Sequence, residues 1–245
     1  ATSALGKIII IGYSADNLSA MVEKVTSGAT SALGRIKISG YDSSKLTSMV
    51  EKVTAGATSS LGKIKMDGYD AGDLSGMLEK VTAGATAALG NIKMDGFSAD
   101  NLSSMVEKVT SGATAALSRI QMNGFSSDNL TSMIENVKIG AKGSLSKIKM
   151  KGYNPNNKPA GLENSVNTGA SKGLDKQPPM LKEITAVKTP TSETTPSYVF
   201  NSNKSGNISY GGSCTSSITT ASIGNNTISF NTLKAGTYSD CTITV

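Results

Sequence analysis

Residues 85–112 read ATAALGNIKMDGFSADNLSSMVEKVTSG, and close copies of these 28 residues begin at Ala1, Ala29, Ala57 and Ala113. A sixth copy, AKGSLSKIKMKGYNPNNKPAGLENSVNTG from Ala141, is one residue longer and more divergent. A fixed period of roughly 20–50 residues marks supersecondary units that cannot bury an apolar face alone, so neighbours must stack. The apolar residues running from the first copy into the second are Leu18, Met21, Val22, Val25, Ala29, Ala32, Leu33 and Ile36. Steps of three, four and one define a helical stripe.

Punctuation within the unit sets the expected helix ends. Gly12-Tyr13 fits a left-handed helix stop in which the following apolar residue folds back. Ser14, Asp42, Asp70, Ser98 and Ser126 stand where an N-cap side chain is wanted. In the sixth copy Asn154-Pro155 places proline at a first helical turn. A second glycine recurs at 28, 56, 84, 112 and 140, and Thr30, Thr58, Thr86 and Thr114 follow it as candidate caps. The expected unit is therefore two short helices, near Ala15–Thr26 and Ser31–Ile38, and the expected fold of residues 1–169 is an all-α αα-solenoid.

A β/α unit is the alternative. Leu89, Ile92 and Met94 resemble the L-x-x-L-x-L core of leucine-rich repeats, and Ile64-Lys65-Met66 has strand period. That family places an asparagine where this chain has Phe97 or Tyr69, so its buried amide ladder would be lost.

Composition narrows function. The 245 residues hold 24 Lys+Arg against 18 Asp+Glu, a net charge of +6, with no His and no Trp. Lack of histidine removes Ser-His-Asp and Cys-His nucleophilic mechanisms and His-containing zinc sites. Two cysteines cannot build a four-thiolate site. The expectation is no enzyme activity, no cofactor and no metal. Asp67, Asp70 and Asp73 resemble part of a calcium loop, but the pattern does not repeat and helix capping explains it better. Met66, Met94, Met122 and Met150 recur once per copy and read as packing. So do Tyr13, Tyr41, Tyr69, Phe97, Phe125 and Tyr153. The Glu-Lys pairs from Glu23-Lys24 to Glu107-Lys108 read as a solvated face.

Charge is uneven. Residues 138–188 carry ten Lys against Glu163, Asp175 and Glu183, a balance of +7 that leaves −1 elsewhere. This stretch has no Arg and only Tyr153 as an aromatic, so nucleic-acid binding is not expected. No apolar run approaches the ~20 residues of a membrane span. The chain opens without Met and without a signal-peptide pattern, which reads as a mature or trimmed chain. Sequons at Asn17, Asn101, Asn129, Asn203, Asn207 and Asn225 are chance-level in so Ser/Thr/Asn-rich a chain.

After Gly169 the grammar changes. ASKGLDKQPPM, residues 170–180, reads as a linker. Leu181–Val187 alternates, and Tyr198–Phe200, Asn207–Tyr210, Thr227–Phe230 and Cys241–Val245 are short β-rich runs separated by Gly, Asn and Ser. Regularly spaced short strands predict an all-β sandwich over 181–245. Cys214 and Cys241, an even pair 27 positions apart, suggest a disulfide and an oxidising compartment. Residues Thr189–Cys214 and Asn225–Val245 resemble a bacterial immunoglobulin-like module of secreted surface proteins. That resemblance implies an extracellular spacer, with Cys214 and Cys241 matching its paired cysteines. It also implies a further strand after Val245, so the sandwich is expected to lack its last strand.

At the other end KIIIIG, residues 7–12, stands where later copies have RIKISG or KIKMDG, so Ile9 and Ile11 replace polar residues. Terminal repeats ordinarily present a polar outer face. Ile8, Ile9, Ile10, Ile11, Thr242, Ile243 and Val245 are therefore the expected subunit interface of a chain that associates head to tail, with Lys7–Ile11 entering the next copy as a donated strand. The expected role is an extracellular structural protein, a surface-filament subunit or an adhesin stalk. The alternative is a binding module whose repeat face captures a peptide, glycan or other cell-surface partner.

Overall fold

A computed structural model describes residues 15–36, 39–64, 69–94, 97–120, 129–154 and 160–245. It divides into two compact units at Gln177/Pro178. Among the described residues the first unit holds six α-helices: α1 Ala15–Ala32, α2 Ser43–Leu61, α3 Ala71–Ala88, α4 Leu102–Ala116, α5 Leu130–Ser144 and α6 Ala160–Asp175.

Each repeat thus contributes one helix, not the expected two. The helix starts follow the caps. Asp42 accepts from the main-chain N–H groups of Ser44 and Lys45, Asp70 and Asp73 close a reciprocal capping box, and Ser98 does the same with Asn101. Asp70 and Asp73 are thereby accounted for as caps. Ser14, Ser126, Gly12-Tyr13 and Pro155 lie outside the described residues, as do Asp67, Met66 and Met122.

The expected turn at Gly28 and its equivalents does not form. The helix runs through each of these glycines and ends only in the 3-10 turns Leu33–Arg35, Leu89–Asn91, Leu117–Arg119 and Leu145–Lys147, or, in α2, at Leu61. Thr26, Thr54, Thr82 and Thr110 satisfy their buried hydroxyls inside the same helix, each donating to the carbonyl four residues back. Thr30, Thr58, Thr86 and Thr114 are not caps. They are buried inside the helices, and their hydroxyls find no partner.

The strand alternative fails in the connectors. After each 3-10 turn the backbone extends, as at Ile92 (φ −71°, ψ 117°) and Ile148 (φ −69°, ψ 120°), but no ladder forms among the described residues of this unit. Met94, Met150, Tyr41, Phe97 and Tyr153 pack against the helix core as the repeat pattern implies.

One aromatic position separates two roles. The Tyr153 hydroxyl donates to the Leu145 carbonyl at 3.0 Å. The Tyr69 hydroxyl is buried with no partner, and burial, followed by the Asp73 charge, raises its pKa well above the ordinary phenol value. Tyr69→Phe is accordingly expected to be neutral or slightly stabilising, whereas Tyr153→Phe costs about 1 kcal/mol in urea unfolding.

Helix α6 also corrects the expected linker. Residues 170–175 are helical, with Ala170 buried, so the link begins at Lys176. Lys176 and Gln177 are still tied to the first unit, through the Glu51 carboxylate and the Thr114 carbonyl.

The second unit is built of short antiparallel strands: β1 Leu181–Thr185, β2 Ser197–Ser202, β3 Gly206–Asn207, β4 Ser209–Gly211, β5 Thr220–Ala221, β6 Gly224–Ser229 and β7 Thr242–Thr244. They form a three-stranded sheet in the order β1-β2-β6 and two two-stranded sheets, β3-β5 and β4-β7. Phe200, Ile208, Ala221, Ile228 and Phe230 make its core with the Cys214–Cys241 disulfide.

Candidate functional site

The repeated glycines explain how the first unit is assembled. Helix α1 packs most extensively on α3, α3 on α5, α2 on α4 and α4 on α6, while consecutive helices touch more lightly. The helices thus form two interleaved rows, each helix meeting the one two repeats along. A Cβ added at Gly84 would lie 2.4 Å from the Glu23 carbonyl oxygen, and the same holds for Gly112 on Glu51 (2.3 Å), Gly140 on Glu79 (2.2 Å) and Gly169 on Glu107 (2.3 Å). Only glycine lets the two backbones come this close.

Side chains reinforce this register. Lys80 pairs with Glu23 at 3.6 Å, Lys108 with Glu51 at 3.1 Å and Lys172 with Glu107 at 2.8 Å. Glu23, Glu51, Lys80, Glu107 and Lys108 of the Glu-Lys pairs, expected to be a solvated face, therefore bridge helices two repeats apart. Connectors obey the same rule, with Gly34 against the Lys93 backbone and Gly90 against the Lys149 backbone.

Glu51 gathers most of this chemistry, with Lys108, Lys176 and the Ser111 hydroxyl all on its carboxylate. Partial burial pushes its pKa up, but Lys176, Lys108 and Ser111 together outweigh this and hold it below the usual carboxylate value. A depressed native pKa gives stability that is complete above the unfolded value near ~4.3 and is lost as pH falls through the native one. Glu51→Gln is expected to cost roughly 0.5–1 kcal/mol at neutral pH. In urea titrations the difference from wild type should close once the pH drops below that of ordinary carboxylates.

The second unit carries an open groove of about 910 Å³. Val187, Pro190, Phe200, Phe230, Leu233 and Ile243 line it, along with the disulfide. Strand β1 lies at the edge of the three-stranded sheet with every residue exposed, including Leu181 (40%) and Ile184 (47%). Burial, followed by the Glu183 carboxylate on β1, raises the pKa of Tyr198 on the neighbouring strand.

Of the residues assigned to a subunit interface, Ile8, Ile9, Ile10 and Ile11 lie outside the described residues. Thr242 and Ile243 are in β7, paired with Gly211 and Tyr210 of β4. Ile243 and Val245 pack against the core of this unit, and Ile243 reaches the groove. No periodicity argument would have singled out the groove, because its lining comes from loops as much as strands.

Among the described residues no group of His, Cys, Asp or Glu is arranged to hold a metal ion, and no helix is long and apolar enough to cross a membrane. Comparisons with protein families, with curated proteins and with solved structures return no match for this chain.

Proposed function

We propose that this chain is an extracellular structural protein, a subunit of a head-to-tail surface filament or a stalk, in which the repeats form a solenoid and the C-terminal unit is an immunoglobulin-like module. The observation that carries the reading is the glycine-to-carbonyl contact, made four times at nearly one distance. A contact that repeats unchanged builds length by translation and leaves every copy equivalent. A binding face would vary from copy to copy; here the recurring Tyr41, Phe97 and Tyr153 are spent on packing. The Cys214–Cys241 disulfide fits an oxidising compartment. The exposed β1 edge beside the apolar groove supports a finer reading, in which Lys7–Ile11 of one copy adds to the sheet of the next.

Sedimentation and negative-stain imaging of the 245-residue chain test this. Oligomers growing end to end with concentration are expected for the filament. Elongated single-chain particles favour the stalk, and compact particles that do not associate contradict both.

A further inference from the structure

We propose that the face of α1 and α2 bearing Gly28 and Gly56 is a docking surface for the α5–α6 end of a second copy, held by the same contacts that hold the repeats together. This rests on the head-to-tail reading above and names the surfaces that would meet.

Gly28 and Gly56 occupy the position of Gly84, Gly112, Gly140 and Gly169. Those four lie against a carbonyl, whereas nothing lies within 4 Å of a Cβ built at Gly28 or Gly56. Inside a helix such a glycine costs about 0.5–1 kcal/mol relative to alanine. Nothing among the described residues of this chain uses the missing side chain.

Charge points the same way. Lys24 and Lys52 match Lys80 and Lys108, which reach back to Glu23 and Glu51. Both are exposed, and neither meets an acid among the described residues. The apolar residues of this face are open too. Met77, Val81 and Ala85 of α3, and Met105, Val109 and Ala113 of α4, are buried. Their equivalents Met21 and Val25 in α1, and Met49 and Val53 in α2, are only half-buried, and Ala29 is exposed.

The opposite end supplies the complement. Val22, Val50, Leu78 and Val106 are fully buried, but their equivalent in α5, Ile134, is half-exposed. Glu135 stands five residues before Gly140, as Glu23 stands before Gly28; its side chain is 57% exposed and, among the described residues, pairs with Lys138 of its own helix. In α6 the matching positions are Glu163 and Asn164, both exposed. The α5–α1 half of the junction is therefore apolar with a Lys24–Glu135 pair, and the α6–α2 half is polar, with Lys52 facing Asn164. Six helices in two rows leave α5 and α6 in phase with α1 and α2 of a following copy, so both rows continue without a slip.

The test is sedimentation equilibrium on the full chain over a wide concentration range. Wild type is expected to self-associate. The double variant Gly28→Leu/Gly56→Leu, whose added Cβ atoms have nothing within 4 Å in their own chain, should keep its helix content at low concentration and associate at least about tenfold more weakly. Lys24→Glu should weaken association, and adding Glu135→Lys should restore it. If wild type stays monomeric throughout, head-to-tail association itself fails. If wild type associates but the double glycine variant does so equally well, or the charge swap gives no rescue, this surface is wrong and the head-to-tail reading stands on another contact.

Discussion

Gly112→Ala is expected to destabilise the first unit by about 1–3 kcal/mol, although alanine is the better helix former. The new methyl would sit 2.3 Å from the Glu51 carbonyl oxygen, so α2 and α4 must move apart. That movement also pulls Lys108 and Ser111 away from the Glu51 carboxylate. Gly56→Ala, at the same position of the repeat but with nothing within 4 Å, should behave in the opposite way. It gains helix propensity and narrows the unfolded ensemble, for about 0.5–1 kcal/mol of stabilisation. Urea midpoints of the two variants in dilute solution separate the outcomes. Equal effects of the same sign would mean that these glycines do not set the distance between helices.

Reducing the Cys214–Cys241 bridge is the other large effect expected. The two cysteines are 27 positions apart, and releasing a loop of that size frees about 3–4 kcal/mol of chain entropy in the unfolded state. The second unit has little else to draw on. Its three-stranded sheet is small, β1 is exposed along its length, and Leu181, Ile184 and Ile223 face solvent. Both cysteines belong to the core or pack directly on it. Under reductant, or in a Cys214→Ser/Cys241→Ser variant, residues 178–245 should melt well below the oxidised protein while the helical signal of the first unit persists. The near-UV circular dichroism lost in that transition is the part due to Tyr198, Tyr210 and Tyr238, while the part due to the tyrosines of the first unit persists with the far-UV ellipticity of its helices. A second unit equally stable with and without the bridge would contradict this.

Helix starts were legible in the sequence because a cap is a local event. Asp42, Asp70 and Ser98 need only the next few main-chain N–H groups, and all three act as caps. The inner glycine is ambiguous in the sequence for the complementary reason. A glycine at fixed spacing satisfies a helix stop and a close helix crossing equally well, and only the carbonyl of Glu51, far from Gly112 in the chain, tells them apart. The same limit hid the pairing of each helix with the one two repeats on, since identical copies give no cue to which neighbour they prefer. In the second unit the alternation at 181–187 and the β-rich run at 198–200 mark β1 and β2. The two-residue strands β3 and β5 are too short to leave a pattern. The groove depends on loops whose composition says only that they turn.

Packing of each helix on its second neighbour can be read directly by zero-length carbodiimide cross-linking and mass spectrometry on dilute protein. The pairs Glu23–Lys80, Glu51–Lys108 and Glu107–Lys172 are expected to be joined, with Lys176 also linked to Glu51. Cross-links between adjacent repeats instead, such as Glu23 to Lys52 or Glu51 to Lys80, with none at the longer separation, would contradict the two-row stack.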